Sequence, residues 1–493
     1  MAKLMRAWRW CKRRSSAALL LLVGVIIVFR LGWGWWVEKQ LAAKQAGMHR
    51  RGEAADWREI SYPAVKDEEN AWPIWVKAIN SVSSTVDCPR STNVNYGDPP
   101  YPPGWFPVAA ASEKANGQAI ALARTARTRP LVQFRTRLPA PASTWLVYLN
   151  PAHGLVNVLA DAAEYSHFTG DDDEAIERLT DLTLLGDALH QDDFFVSQLV
   201  AIGTLNQTCA SIQWIAPGVA ESGKPEARAA RERRIRKLIE VLLDERLARE
   251  GMQRSIQVER LERADSYRER AKGAWWVRPL AQREILRAIE GFEVFSEAAR
   301  CANFQDAREV LQRCGLAELY SYARPPGGLV GAKRVVPRYS RWFEETGVDP
   351  DSILQRLYRE IGARRLAAMG LACQLYHAKW RKWPAKLEDL VPEFLPEVPK
   401  HPFYADGRRL DLTIKGGKPD GGDFTIFAAP DESAKAVDRK PDQADAPGEK
   451  SQVKKNGEKP QGKKVGDDEE GIFPCLIAHA QGPLKDAKKR QRQ

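Results

Sequence analysis

FTGDDDEAIERLTDLTLLGDALHQDDFFVSQLVAIGT (168–204) is the stretch that decides the fold class. Ala175, Ile176, Leu179, Leu182, Leu185 and Leu189 recur at steps of three and four, the period of a helix with one apolar face. Thr169-Gly170-Asp171 is a turn. Gly170 suits the close of one helix, and Asp171 with Glu174 three residues on is a capping box for the next. The spacing predicts helices over about 153–168, 172–189 and 193–215. A body built this way is mainly α and made of helical hairpins. The acidic run DDDE (171–174) could instead be a calcium loop, but it lacks the ligand spacing of an EF-hand, so capping is the expected role.

Toward the N-terminus, AVKDEENAWPIWVKAINS (64–81) offers Ala71, Trp72, Trp75, Val76 and Ile79 as one apolar face, interrupted at Pro73. A proline-rich loop (87–107) follows. Extended polyproline conformation is its plain reading and peptide docking the alternative. Before both lies AALLLLVGVIIVF (17–29), then Arg30, then LGWGWWV to Val37. Twenty-one residues at about 1.5 Å each reach roughly 31 Å, enough to cross a bilayer core. Arg30 is placed to snorkel, Trp33, Trp35 and Trp36 to form an interfacial belt, and Trp8 and Trp10 to flank the other side. Residues 38–58 continue as a helix.

The net charge of +11 is concentrated in two tails. Residues 1–16 carry six bases and no acid, residues 485–493 contribute +4, and the rest of the chain holds +1. A nucleic-acid binder would carry its basic excess on a folded face, so no nucleic-acid partner is expected. The basic N-terminus instead predicts a single-pass inner-membrane protein with its N-terminus in the cytoplasm and the bulk of the chain exported. A cleaved signal peptide is the competing reading, with a weak cleavage option near Ala42; the Trp-rich flank favours an uncleaved anchor.

Toward the C-terminus, 225–272 is dense in both charges and predicts a long salt-bridged helix or helix pair. Helical pattern resumes over 279–314, and PPGG (325–328) breaks it. Ile353, Leu357, Ile361, Leu366, Met369, Cys373, Tyr376 and Trp380 predict an amphipathic helix of about seven turns. A proline-stepped loop leads to RLDLTIK (409–415) and DFTIFAA (423–429), a β-hairpin around a glycine-rich turn. Residues 431–470 cannot bury a core and are expected to be disordered. GIFPCLIAH (471–479) is apolar again and is expected to fold back on the hairpin, or else to dock a partner. The domains expected are a basic cytoplasmic tail (1–16), a transmembrane anchor (17–37), an exported helical domain (38–345), a helix-plus-hairpin module (346–430), a disordered charged segment (431–470) and an apolar segment with a basic tail (471–493).

No catalytic constellation emerges. GGLVGAK (327–333) fails the phosphate-loop spacing, and there is no G-x-S-x-G, H-E-x-x-H or G-x-G-x-x-G after a strand. His190 with Asp192 and Asp193 is the nearest thing to a ligand cluster, and surface capping is the expected role. His377 is expected on a helix face, and Glu59, Glu68 and Glu69 have no evident partner. The seven cysteines show no C-x-x-C pair, so neither zinc nor redox chemistry is signalled. Cys373 is expected as a buried thiol, and a Cys301–Cys314 bridge is one option. No metal, no cofactor and no catalytic residue is assigned.

LACQLYHAKWRKWPAKLEDLVPEFLPEVPKHPFYADGRRLDLTI (371–414) resembles a module of uncharacterised membrane-anchored proteins of planctomycete-type bacteria. It is similar, more distantly, to the C-terminal part of type II secretion major pseudopilins. DEENAWP (67–73) looks like the N-terminal signature of the same proteins, and 168–204 resembles their TPR-like helical middle. The resemblance implies a fold and a location but no activity. The usual Asp of the DPF-type step is His401 here, which puts a pseudopilin-type calcium site in doubt; Asp406, Asp420 and Asp423 remain nearby as oxygen donors. The expected function is a membrane-held scaffold or protein-interaction module for other envelope proteins. An exported enzyme with a site assembled from distant residues is the alternative, marked by a deep pocket with shifted pKa values. A pseudopilin-like assembly subunit is a third, against which the missing leader counts.

Overall fold

The computed structural model describes residues 2–60, 62, 65–92, 94–134, 142–221, 225–272, 276–313, 349–407, 410–415, 423–428 and 476–478. The architecture is mainly helical. Helix α1 (Ala2–Arg50) runs unbroken through the basic tail, the apolar run and the segment beyond it. Its portion Ala18–Arg50 is long and apolar enough to cross a membrane, and its most apolar window is not buried against the rest of the chain. The end of α1 is held by the body. Val37 and Met48 are buried, and Lys44 donates to Glu293 at 2.6 Å.

Helix α2 (Trp72–Asn80) begins with Pro73 in its first turn. The proline opens this helix rather than interrupting a longer one, because a first-turn residue has no intrahelical N–H bond to lose. Helices α3 (Trp105–Ala115) and α4 (Gly117–Ala126) follow the proline-rich loop. Helices α5 (Ala142–Thr169), α6 (Asp172–Leu189) and α7 (Phe195–Ile215) pack on one another as successive hairpins. The turn between α5 and α6 holds half of the expected capping box: Asp171 caps α6, but the Glu174 carboxylate goes to Arg124 and Arg178 and the Asp171 N–H to Ser166 O. Gly170 takes φ +94°, and Asp171 Oδ1 accepts from Glu174 N at 3.1 Å. The charge-dense segment is a helix pair, α8 (Pro225–Leu243) and α9 (Arg246–Arg270). Next come α10 (Arg278–Ala299), α11 (Phe304–Arg313) and α12 (Pro350–Trp380). Strands β1 (Leu410–Lys415), β2 (Asp423–Ala428) and β3 (Leu476–Ala478) pair antiparallel in that order, with Leu410 opposite Ala428 and Phe424 opposite Ala478. The predicted disorder of 431–470, the PPGG break, Cys314 and the basic tail at 485–493 lie outside the described residues.

Helix α12 is not the amphipathic surface helix that its apolar stripe predicts. From Glu360 to Leu375 every residue except Arg365 is buried. Gly362, Ala363, Ala367, Ala368, Gly370 and Ala372 let neighbours approach on the faces the stripe leaves over, and the polar residues there find partners inside. The N-terminal half of α12 gives Ile353, Leu357 and Ile361 to a cluster with Phe292 and Phe295. Its C-terminal half gives Leu366, Met369 and Leu375 to a second cluster with Ile176, Ile212, Leu238 and the loop residues Leu390 and Leu395. A third cluster joins Trp75, Leu155, Leu159, Leu182 and Leu185.

Arg364, in the middle of α12, closes the C-terminus of α8. Its Nη2 donates to Val241 O at 2.7 Å and Asp244 O at 2.8 Å, and its Nε to Leu242 O at 2.9 Å. Helix C-termini leave carbonyls without partners and carry partial negative charge, so a guanidinium answers both needs. Arg364→Met should therefore lower stability by about 3–5 kcal/mol, because it strands buried carboxylates as well as carbonyls. Arg364→Lys should recover only part of that, since one ammonium cannot reach the same set of oxygens. Urea denaturation of the detergent-solubilised full chain, comparing both variants with the parent, checks the order.

Candidate functional site

Two polar clusters lie inside the helical body. The first sits where α6 ends, α7 begins and α12 crosses them. His190 follows α6 directly and is fully buried, with Asp192 and Asp193 beside it. This corrects the expectation of a surface turn, because α9 and α12 cover it. Gln198 Nε2 donates to the carbonyls of His190 at 3.2 Å and Asp192 at 2.6 Å, which turns its Oε1 toward His190 Nδ1 at 2.9 Å. His190 Nε2 faces Glu360 Oε1 at 3.2 Å. Both ring nitrogens thus face acceptor oxygens, a setting that favours the doubly protonated ring. Burial alone would lower its pKa; the Glu360 carboxylate outweighs this and raises it. Arg364 Nη1 donates to Asp187 Oδ1 at 2.9 Å and lies 3.5 Å from Glu360 Oε1.

Asp192 accepts from Ser197 Oγ at 2.5 Å and from Tyr148. Asp193 accepts from Tyr62 and from Arg254 Nε at 3.2 Å. Burial pushes the Asp192 carboxyl up to about 6, against its hydroxyl donors. Ser197, Asp192 and His190 are not a nucleophilic triad. Ser197 donates to the carboxylate, and both nitrogens of His190 are engaged elsewhere, so no base faces the hydroxyl.

The second cluster ties the proline-rich loop to α5. Arg90 donates from its side chain to Asp161 and, through Nη2, to Glu164 Oε1 at 2.6 Å; its backbone N donates to Asp161 Oδ2 at 3.0 Å. Tyr101 OH donates to Glu164 Oε2 at 2.5 Å and Ser211 Oγ to Glu164 Oε1 at 2.8 Å. Burial lifts the Asp161 carboxyl to about 6 in spite of Arg90. Tyr101 stacks on Trp105 with ring centroids 4.3 Å apart. Beside them is a cavity of about 470 Å³, with Tyr96, Gln207 and Trp214 on its wall. The loop is therefore a clamped, partly aromatic wall rather than a free polyproline arm.

Toward α4 and α8, α6 carries an ion-pair ladder in which Asp181, Arg178 and Arg231 are buried. Asp173 is bound by Arg231 at 2.9 Å and Arg234 at 2.8 Å, Glu174 by Arg178 and Arg124 at 3.0 Å each, and Asp181 by Arg124 at 2.7 Å. Asp172 faces His167 Nδ1 at 2.6 Å. The DDDE run thus spends its carboxylates on one cap and on α4, α5, α6 and α8. Among the described residues, no group of three or more His, Cys, Asp or Glu is arranged to hold a metal ion.

The remaining singled-out residues are scattered. His377 faces Glu221 Oε1 at 2.5 Å and stacks on Trp383 at 4.2 Å. Glu59 pairs with His49 at 2.9 Å, and Glu68 is exposed. The HPF step caps α11, with Phe304 N donating to Pro402 O at 2.9 Å and Gln305 N to Phe403 O at 3.0 Å. Cys88, Cys209 and Cys373 are buried and unpaired, and burial pushes the Cys209 thiol up to about 12. Arg90, Asp161, Glu164, Glu360 and Arg364 were not singled out in the sequence. The spacings Asp161–Glu164 and Glu360–Arg364, three and four apart inside otherwise apolar helical runs, are the one signal the sequence carries for them; Arg90, in the proline-rich loop, has none. No protein-family model matches the chain, and neither does any curated protein or solved structure.

Two predictions follow from the first cluster. A Cβ on Gly251 of α9 would lie 2.1 Å from His190 O and 2.7 Å from Gln198 Oε1. A backbone carbonyl in a capped turn cannot yield that far, so Gly251→Ala should cost more than about 2 kcal/mol by thermal denaturation. The second concerns pH. The Asp192 carboxyl holds its proton more tightly folded, at about 6, than at its ordinary 3.8. That contribution to stability is fully present below about 3.8 and is lost as pH rises through about 6. Asp192→Asn never loses it, so relative to the parent the variant should gain about 2.5 kcal/mol between pH 4 and 7. Denaturation midpoints across that range measure the difference, and a difference independent of pH would contradict it.

Proposed function

We propose that the chain is a single-pass protein of the inner membrane whose exported helical body is a scaffold, binding other envelope proteins on its helical surfaces. The observation that carries this reading is the seam between α1 and the body. Beyond the apolar run, α1 continues without a break and is locked by buried Val37 and Met48, by Lys44 on Glu293, and by Arg51 Nη2 on Glu293 at 2.8 Å. Just past it, Glu53 is buried among Arg51, Arg260 and Arg300. Burial alone would raise its carboxyl pKa, but the three guanidiniums hold it at about 2. A body joined in this way cannot swing on a flexible linker. It presents its faces at a fixed height and angle, which suits a platform. The basic residues before the apolar run support a cytoplasmic N-terminus. The shielded thiols suit an oxidising compartment, since a buried thiol of raised pKa is unreactive. The likeness of 371–414 to membrane-anchored bacterial proteins points the same way.

The cavity beside Asp161 favours a second reading, an exported enzyme or ligand-binding protein. It combines a carboxyl shifted to about 6 with an aromatic wall. Against it, the oxygens of Asp161 and Glu164 that would act are already held by Arg90, Tyr101 and Ser211.

In-cell photo-crosslinking separates the two. A photoreactive residue at exposed Lys114, Lys237 or Arg283 samples α3, α8 and α10 in the full-length protein. A scaffold should give the same envelope partners repeatedly from one face, in a membrane fraction that resists carbonate and is lost when 17–37 is deleted. No adduct above background from any face would sink the scaffold and leave the cavity as the place to screen ligands.

A further inference from the structure

The tip of the α9–α10 hairpin lies against α1 at a level where the span reading puts lipid. Arg30 Nε donates to Trp276 O at 3.0 Å. A Cβ on Gly34 would lie 3.2 Å from Pro279 Cγ, so the first turn of α10 touches α1 there. Farther along, Arg278 Nη2 lies 3.8 Å from Glu38 Oε1. Arg30 precedes Val37 by seven residues, about 10 Å along a helix. The interfacial layer on each side of a bilayer is only about 5–7 Å thick. If the apolar run spans, the Trp276 carbonyl sits at the inner edge of that layer or deeper.

Three features of the tip fit such a depth. A carbonyl there needs an internal donor, and a guanidinium in a span needs an acceptor; Arg30 and Trp276 answer each other. Gly34 has no side chain to hold the two helices apart, the small-residue device of helix contacts in lipid. Trp276 and Leu280 leave 63% and 47% of their surface uncovered, next to exposed Leu31 and Trp35 of α1. Tryptophan is the residue most at home between headgroup and acyl chain.

We infer that this hairpin tip is a second membrane contact, with Trp276 and Leu280 inserted into the phospholipid interface beside the span. The inference rests on the reading of 17–37 as a membrane anchor. It makes the body a two-point attachment: α1 fixes its position, and the tip fixes its tilt and rotation about α1.

The test uses the full chain in phosphatidylcholine–phosphatidylglycerol vesicles, with Cys11, Cys301, Cys314 and Cys475 replaced by serine and the buried thiols kept. An environment-sensitive fluorophore is placed in turn on Leu280→Cys, Leu22→Cys and Lys114→Cys. Spin-labelled lipid should quench the label at 280 at least about threefold more than the label at 114, as it does the label at 22. A quenched label at 22 with an aqueous label at 280 overturns the hairpin contact and leaves the anchor standing. Two unquenched labels overturn both. Protection at 280 that depends on protein concentration and not on spin-labelled lipid would mean a second copy on the tip, and would equally overturn the lipid contact.

Discussion

Asp187, His190, Glu360 and Arg364 are all buried, two acidic side chains against two basic ones. In the middle of the helical body Glu360 faces the His190 ring and, with Asp187, the Arg364 guanidinium. The rest of the packing depends on this pairing. An apolar helix in an apolar groove can slide with little penalty, but a helix that carries Glu360 and Arg364 cannot. A slip of one turn moves α12 by about 5.4 Å and leaves buried charges facing nothing, a loss of several kcal/mol. The cluster therefore fixes the register of α12 against the end of α6 through His190 and against the end of α8 through Arg364. Both are helix ends, where partial charge and unpaired carbonyls give a cation something to bind.

The same device recurs at three places where a non-helical segment meets the bundle. Arg90 pins the proline-rich loop to Asp161 and Glu164 on α5. Arg260 and Arg300 pin the exit from α1 through Glu53. Arg365 holds Glu245 at the α8–α9 break with contacts of 2.5 and 2.9 Å. Loops of this kind have few apolar residues to anchor them. An arginine fork meeting a carboxylate supplies direction as well as energy, and burial keeps water from competing. The ladder on α6 is mixed: Asp181, Arg178 and Arg231 are buried, whereas Asp173, Glu174, Arg124 and Arg234 are partly exposed, where water screens a pair and lowers its contribution.

Much of this was legible in the sequence and some was not, for physical reasons. The periodic leucines of α6, the Gly170–Asp171 turn and the apolar run of α1 are local signals, set by neighbours three or four residues away. The mainly helical class follows from them. The sidedness of α12 was misjudged because an apolar stripe reports only which face is surely buried. Whether the opposite face is also covered depends on α7 and α8, more than a hundred residues earlier. His190 and the Asp192–Asp193 pair were placed on the surface for the same reason. A polar turn is indistinguishable from an exposed one until Gly251 is seen pressed against it. Arg364 capping α8 has no sequence signature, because the carbonyls it binds are backbone.

How the polar groups are satisfied also bears on function. A catalytic carboxylate or imidazole needs one coordination position open to substrate. Among the described residues, several buried groups are engaged by their own neighbours: His190 on both nitrogens, Asp192 by two hydroxyls, Glu164 by Arg90, Tyr101 and Ser211; Glu360 Oε2 is buried without a hydrogen-bond partner. Such mutual engagement rigidifies the fold where the helices meet. The surfaces left with something to offer are those the bundle does not close. They are the helical faces outside the α6 ladder and the Trp276 edge beside α1, where contact with another molecule adds burial that the chain alone does not achieve.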